Sequence, residues 1–422
     1  MSAFRSEVDV AVIGAGAAGI AAGRRLAEAG AVSVLVLEAR GRVGGRVWTV
    51  EKDGLPLDLG GEWLHSANRN VLAGIAGEHG FAIYRRRPDW TTRLRNSGAT
   101  PAEEQDWITE REAHYWAIHR AAREPEDRAA ASVLVPGGRW NALFDATSTW
   151  ANAVELEKLS ARDNDRYEDT GINWRVHKGY GALLTALAAG LPVAFETPVT
   201  RVDHRGRAIV LDTARGRVTA ARVIVAVPTA ILAGEHLAFD PALPEKLAAA
   251  NGLPLGLADK LFMRFDGAMA DLDDSDVFMV GSTRRRETMS YQVRPFGRPV
   301  IQCFFGGEFA AGLERDGGMA AMFAFAADEL AALRGSDIRR RLRPLAASMW
   351  RGDPFARGSY SYARPGHADD RAVLSAPVDR RLFFAGEAVS PHFFSTAHGA
   401  YETGIAAAEA ALASLPGKAA AR

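Results

Sequence analysis

The earliest residues whose types and spacing can do chemistry are Gly14-Ala15-Gly16-Ala17-Ala18-Gly19. Glycines at these intervals permit a tight turn and let main-chain N–H groups approach a pyrophosphate at a helix N-terminus. The expected partner is an acid about 20 residues further on, which accepts hydrogen bonds from ribose hydroxyls. Glu38 stands 19 residues past Gly19. Arg40, Arg42 and Arg46 then surround Gly44-Gly45, a density of guanidinium groups suited to a doubly charged pyrophosphate that one helix dipole neutralises only in part. A second kind of signal is a cation in an unusual setting. Lys260 lies in the apolar stretch from Leu253 to Met263, although only six of the 51 basic residues are lysines (positions 52, 158, 178, 246, 260 and 418). A buried ammonium needs a partner or a lowered pKa, and Lys shifts far more readily than Arg. Lys260 is therefore read as a site residue, the alternative being a strand-end lysine paired with Asp259.

These residues need elements to hold them. Glu7 to Ile13 is rich in Val and Ile and reads as a buried parallel strand, Ala15 to Gly30 as a helix, and Val32 to Leu37 as a second strand. Together they have the size of one βαβ unit, about 30 residues. Gly41 to Gly61 is glycine-dense and reads as irregular backbone lying close to a ligand. Residues 70–175 change to a Trp-, Arg- and Glu-rich composition with a helix over Glu103 to Arg123. Strand patterns return at Val199 to Val202, Ala208 to Asp212, Val218 to Ala220 and Val223 to Val227, after a helix at Ala182 to Ala189, and Pro228 ends the run. A second mixed segment carries strands at Lys260 to Phe265 and Val300 to Phe305 and a helix near Gly318 to Leu333. The chain closes with a strand at Leu382 to Ala385 and a helix at Gly399 to Ala413. The alternation gives two discontinuous domains, one from residues 1–70, 176–254 and 376–422 and the other from 71–175 and 255–375.

Composition narrows the function. With 422 residues, 48% hydrophobic and 24% charged, the chain is an ordinary globular protein. Fifty-one Lys and Arg balance 51 Asp and Glu, which argues against nucleic acid or anionic membrane as a partner held by bulk charge. The single Cys303 excludes an intrachain disulfide and a cysteine-rich metal site, and no metal is expected. No run reaches the ~20 apolar residues of a membrane span, and the stretch at residues 415–418 is too broken for a tail anchor. A cytoplasmic protein is expected.

The Gly14–Gly19 turn, Glu38, Arg42-Val43-Gly44-Gly45-Arg46 and Asp58-Leu59-Gly60-Gly61 together resemble the N-terminal signature of the flavin-dependent amine oxidases. This family includes monoamine, polyamine and amino-acid oxidases and the flavin histone demethylases. The resemblance continues through Pro198-Val199-Thr200-Arg201-Val202, Val223 to Pro228 and Trp350-Arg351-Gly352-Asp353-Pro354-Phe355. It ends with Phe383 to Glu387 and Thr396-Ala397-His398-Gly399-Ala400. It implies an α/β fold: a Rossmann-like FAD-binding domain of the glutathione-reductase type with a discontinuous α+β substrate domain. It implies FAD, with Gly14, Gly16, Gly19, Gly60 and Gly61 close to it, Glu38 on the adenosine ribose, and Arg40 and Arg46 near the phosphates. The Val202 backbone would lie at the adenine, Glu387 by the pyrophosphate or ribityl chain, Thr396 and Ala397 at the flavin, and Trp350 on the isoalloxazine.

In such enzymes flavin N5 takes a hydride equivalent from the carbon beside an amine, so the protein's task is to orient that bond, exclude water and keep the amine uncharged. The resemblance gives Lys260 a water-mediated bond to N5 and makes Tyr360 an aromatic wall of the amine path. Ser359 stands where monoamine oxidases have the cysteine that attaches FAD, so non-covalent FAD is expected. Thr396 replaces the second tyrosine of the monoamine oxidase wall and, with Gly61-Glu62-Trp63-Leu64-His65, resembles polyamine oxidases. His65 is expected to contact or deprotonate the amine, and Glu62 to attract a second ammonium. The expected reaction is oxidation of a primary or secondary amine of the polyamine group, with O2 reduced to hydrogen peroxide. An L-amino-acid oxidase is the alternative, its carboxylate held by Arg284, Arg285, Arg286 or another arginine; so is a flavin-binding protein without turnover. Carotenoid desaturases and porphyrinogen oxidases share the N-terminal signature but have no use for Lys260 and Tyr360. A histone demethylase is expected to carry an additional helical insert.

Overall fold

The computed structural model describes residues 6–267 and 276–415; residues 416–418, read above for a tail anchor, lie outside them. The strands Glu7–Ile13 and Val34–Leu37 pair in parallel, as their unbroken Val and Ile content requires when both faces are covered. Helix Ala17–Glu28 crosses between them and completes the βαβ unit. On the other side of Glu7–Ile13 lies Gly216–Val225, also parallel. This one long strand replaces the two expected at Val218 to Ala220 and Val223 to Val227. Its first half pairs antiparallel with Ile209–Thr213, which pairs with Val199–Asp203; its second half pairs with Leu382–Phe384 along the same edge. The eight-stranded sheet thus takes its strands from residues 7–37, 193–240 and 382–384.

A separate five-stranded antiparallel sheet runs in the order Val277–Val280, Ser290–Val293, Val300–Gly306, Ala258–Phe265, Leu342–Ala347. Only two of these strands were expected from sequence, because the others are short, and Ser290–Val293 carries polar residues that the sheet buries, Ser290 and Gln292. The glycine-dense stretch at 41–61 also differs from expectation. It contains a hairpin, Thr49–Lys52 with Leu55–Asp58, whose Asp53 and Gly54 both have positive φ and make the tight turn. Residues 93–166 are mainly helical, with Pro101–Ala121 opened by a Thr100/Glu103 capping box and Pro at its start. Among the described residues no helix is long and apolar enough to cross a membrane.

The helix Ala397–Ser414 packs directly on Ala17–Glu28, and small side chains set their separation. A Cβ on Gly404 would stand 2.1 Å from the Ala18 carbonyl oxygen. Gly404→Ala would gain about 1 kcal/mol of helix propensity but overpack this contact at a cost of about 1–3 kcal/mol. A net loss in the denaturation midpoint, with weaker flavin retention, is expected; a raised midpoint would show that the two helices can separate freely.

Candidate functional site

A cavity of about 890 Å³ runs from the Gly14 turn to the helical region at residues 93–167. Its first end is built by glycine. Gly14 has φ +101°, and a Cβ on Gly19 would lie 1.8 Å from the Gly14 carbonyl oxygen, so these two fix the turn while Gly16 faces open space. Helix Ala17–Glu28 begins there without a side-chain cap, and Ala17 and Ala18 line the cavity, so its first N–H groups are available to an anion. Glu38, almost fully buried, accepts from Ala15 N (2.7 Å) and Arg40 N (2.9 Å). A Cβ on Gly60 would meet Arg46 O at 1.8 Å and Trp350 at 3.0 Å, so backbone and indole close together against the space. This cradle fits a dinucleotide: an uncapped helix start, a buried acid nearby and no side chain in between.

Of the expected cofactor residues, Gly14, Gly16, Glu38, Arg40, Arg46, Gly60, Gly61, Trp350, Glu387, Thr396 and Ala397 line the cavity. Gly19 lies behind the turn. Val202 is a correction: it is fully buried in the sheet core, paired with Leu211, and Val199, three residues earlier, lines the cavity in its place. Arg42 is another. Its guanidinium bonds the Val43 and Gly45 carbonyls and lies 4.3 Å over the Trp48 ring, bracing the loop from outside. Arg40 pairs with Asp353, and Arg46 with Glu387 at 2.9 Å. Glu387 also accepts from Ser361 and from Ser395 N. Burial alone would raise its carboxyl, but Arg46, the Ser361 hydrogen bond and Arg371 together outweigh that and hold it below the usual range. Thr396 caps the helix Ala397–Ser414, its Oγ1 accepting from Gly399 N, which accounts for Thr where a wall tyrosine would not cap.

The second end is organised by Lys260, in strand Ala258–Phe265. Its partner is Glu62, Nζ to Oε2 2.7 Å, with a second bond to the Asp58 carbonyl at 3.0 Å. Asp259 points the other way and accepts from Ser348 Oγ and Trp350 N. Glu62 in turn takes Gln302 Nε2 (2.7 Å) and Arg175 Nη1 (3.2 Å), and Arg175, only 1% exposed, reaches Asp276 at 2.5 Å. Burial pushes the Glu62 carboxyl up, yet Lys260 and Arg175 overcome it and bring it to about 2. Glu62 is therefore already shared by two cations, which corrects its expected role as a free attractor of a second ammonium. His65 donates from Nδ1 to Asn173 Oδ1 (2.7 Å), and burial holds its imidazole below the normal value, so Nε2 carries a lone pair. Tyr360 donates to the Trp150 carbonyl (2.6 Å), and Ser359 ties Ala258 N and O.

Sequence reasoning missed several lining residues. Tyr167 stands near Tyr360, packs edge-on against Phe394 at 5.5 Å and lines the cavity with both. Trp63, Trp90 and Phe278 form a three-ring cluster with centroids 5.6–6.5 Å apart. Arg284, Arg285 and Arg286 do not line the cavity; Arg285 pairs with Glu329, and Arg286 with Glu287 and Asp145. Arg93 and Arg111 do line it. Among the described residues no cluster of His, Cys, Asp or Glu is arranged to hold a metal ion.

Two outcomes follow from the charges. Arg175→Met leaves Glu62 and Asp276 without their shared cation and is expected to cost about 3–5 kcal/mol in denaturant unfolding; a cost near zero would show that the pair is not tightly coupled. Burial raises the Asp58 carboxyl from 3.8 to about 6. The native state then binds the extra proton, so the contribution of this group to stability falls as pH rises from about 4 to 6 and is level above. Asp58→Asn should remove that slope, as measured by unfolding at a series of pH values.

The match to known proteins covers nearly the whole chain. The family model for flavin containing amine oxidoreductases matches residues 17–100 and 89–412. Polyamine oxidase 2 of Arabidopsis thaliana is 30% identical, covering 95% of this chain and 87% of that protein. Polyamine oxidase 4 of Oryza sativa subsp. japonica is 29% identical, covering 96% and 88%. The structure of wild-type putrescine oxidase bound to putrescine superposes with a TM-score of 0.78 at 20% identity, over 96% of this chain and 98% of that one, and so supports the fold. With the glycine cradle at one end of the cavity and the Lys260 cluster at the other, the chain belongs to the flavin-containing amine oxidoreductases and is an FAD-dependent amine oxidase.

Proposed function

We propose that the protein oxidises a primary or secondary amine at the carbon beside the nitrogen, in a site of the polyamine oxidase type, with non-covalent FAD and O2 as acceptor. Bound FAD supplies the hydride acceptor. The chain's residues do the rest. Gly14, Gly16 and the start of helix Ala17–Glu28, with Arg46, hold the phosphates; Glu38 takes the ribose and Val199 borders the adenine. Trp350, Thr396 and Ala397 border the flavin ring, with Glu387 and Arg40 bracing the middle. Ser359, a hydroxyl bonded to Ala258, has no thiol to link the cofactor.

Lys260 is the observation that carries this reading: a buried ammonium, fixed by Glu62 and by the Asp58 carbonyl, projecting into an otherwise largely apolar cavity. With FAD bound, Lys260 would hold a water at the reacting side of the flavin. His65, whose Nε2 retains its lone pair, takes a proton from the incoming ammonium, because only the neutral amine gives up the hydride. Tyr360 and Tyr167 wall the approach and exclude bulk water. Water hydrolyses the imine product to a carbonyl compound and an amine, and O2 would take up the two electrons and two protons removed from the substrate and leave as hydrogen peroxide. Residues 1–70, 176–254 and 376–422 form the FAD-binding unit, and 71–175 and 255–375 the substrate unit. The protein works in the cytoplasm.

Anaerobic mixing with a panel of mono-, di- and polyamines and amino acids tests the reaction. At least one amine should bleach the flavin, and hydrogen peroxide should appear on admitting O2. Lys260→Met should slow anaerobic reduction by about 100-fold while FAD stays bound; an unchanged rate would reject the role given to Lys260.

A further inference from the structure

The cavity ends, away from the glycine cradle, at the guanidinium of Arg93. Arg93 lies 5.3 Å over the Trp150 ring, and among the described residues its guanidinium makes no hydrogen bond or ion pair. Its Nε is buried without a partner, as are Trp150 Nε1 and Thr147 Oγ1, and all three residues line the cavity. The Nε, Nε1 and Oγ1 atoms are closed off from the cavity space, so the donors open to a ligand are the terminal Nη groups of the Arg93 guanidinium, which can only donate and so call for an acceptor. Arg111 adds a second guanidinium beside Arg93, and burial together with Arg111 lowers Arg93 to about 10. The acids facing the cavity lie elsewhere. Glu38 and Glu387 are at the cofactor end, Glu62 is taken by Lys260 and Arg175, and Asp169 accepts from Ser66 Oγ and Gly171 N.

Sheet register places this group relative to Lys260. Lys260, Phe304, Ser290 and Val280 stand opposite one another across four strands, a span of about 14 Å. The short helix Arg93–Asn96 sits at the far edge of that row, with Ser97 Oγ bonded to Val280 N and Asn96 to the Phe278 carbonyl. The rings of Trp63, Trp90 and Phe278 line the same cavity as one cluster, Phe278 standing on the outermost of the four strands.

We infer that the Arg93 end is an anion subsite that binds the carboxylate of an amine substrate, with the substrate's apolar body lying along the Trp63, Trp90 and Phe278 rings. The inference rests on the amine-oxidase reading for the reacting end and specifies the opposite end: an ω-amino carboxylate is preferred over a diamine, whose second ammonium would face two guanidiniums. An α-amino acid, with both charges on one carbon, would not span the rings.

The test uses FAD-loaded protein and length-matched alkylamines, α,ω-diamines and ω-amino carboxylates of roughly six to ten carbons, the reach left by the two side chains. In anaerobic flavin reduction the ω-amino carboxylate should half-saturate at a concentration about tenfold or more below that of the diamine at the best length. Arg93→Met should bring that ratio close to one, Arg93→Lys should restore part of it, and Arg93→Glu should invert it. A wild-type preference for the diamine, or a ratio that Arg93→Met leaves in place, overturns the proposal. In parallel, an amine-free monocarboxylate of the same length is titrated calorimetrically into the holoprotein. Binding that depends on Arg93 supports the subsite even if no amine reduces the flavin, a result that would instead reject the amine-oxidase reading. Turnover of amines without carboxylate binding overturns the subsite alone.

Discussion

One buried carboxylate, Glu62, has to satisfy two cations at once, and the end of the cavity opposite the glycine cradle is arranged around that requirement. Lys260 and Arg175 approach it from different strands, and Asp276 neutralises the far side of Arg175. The row alternates in sign and sums to zero. Removing ions from water carries a penalty of several kcal/mol each, and only close pairing with full hydrogen bonding offsets it. Gln302 and Gln292 supply part of that bonding, one to Glu62 and one to Asp276. Such a network adds little net stability compared with an apolar core, but it leaves Lys260 Nζ very little freedom of position, and position is what hydride chemistry demands.

The cofactor end works by the opposite means. There the main chain is brought close, and side chains are absent where the ligand must pass. Two helices, one near each end of the sequence, start at the cavity wall, and they treat their first N–H groups differently: Ala17–Glu28 is left uncapped, whereas Ala397–Ser414 is closed by Thr396. The first leaves all its leading N–H groups to an anion, whereas the second keeps one of them for Thr396.

Much of this was legible in residue spacing. Gly14–Gly19 with Glu38, and the odd lysine at 260, point to the two ends of the cavity because their chemistry is local or their composition is anomalous. What failed to show is long-range. The block from Pro198 to Val202 contains two valines three apart, and only strand pairing decides that Val199 meets the cavity while Val202 is absorbed by the sheet. The partner of Lys260 is 198 residues away rather than adjacent. Residues 71–175 gave least, since Arg93, Thr147, Trp150 and Tyr167 share no motif and meet only when helices pack. Arg42 matched a pattern of cations but spends its guanidinium on its own loop.

The strand Gly216–Val225 joins two partners along one edge, a neighbouring hairpin and Leu382–Phe384, which comes much later in the chain. During synthesis that edge stays half empty until Leu382–Phe384 emerges, and the Ala17–Glu28 helix waits uncovered for Ala397–Ser414. Translation at about 5–20 residues per second makes the wait tens of seconds. The cavity wall therefore closes only once Leu382–Phe384 and Ala397–Ser414 have been made, and the nascent chain exposes an apolar edge in the meantime.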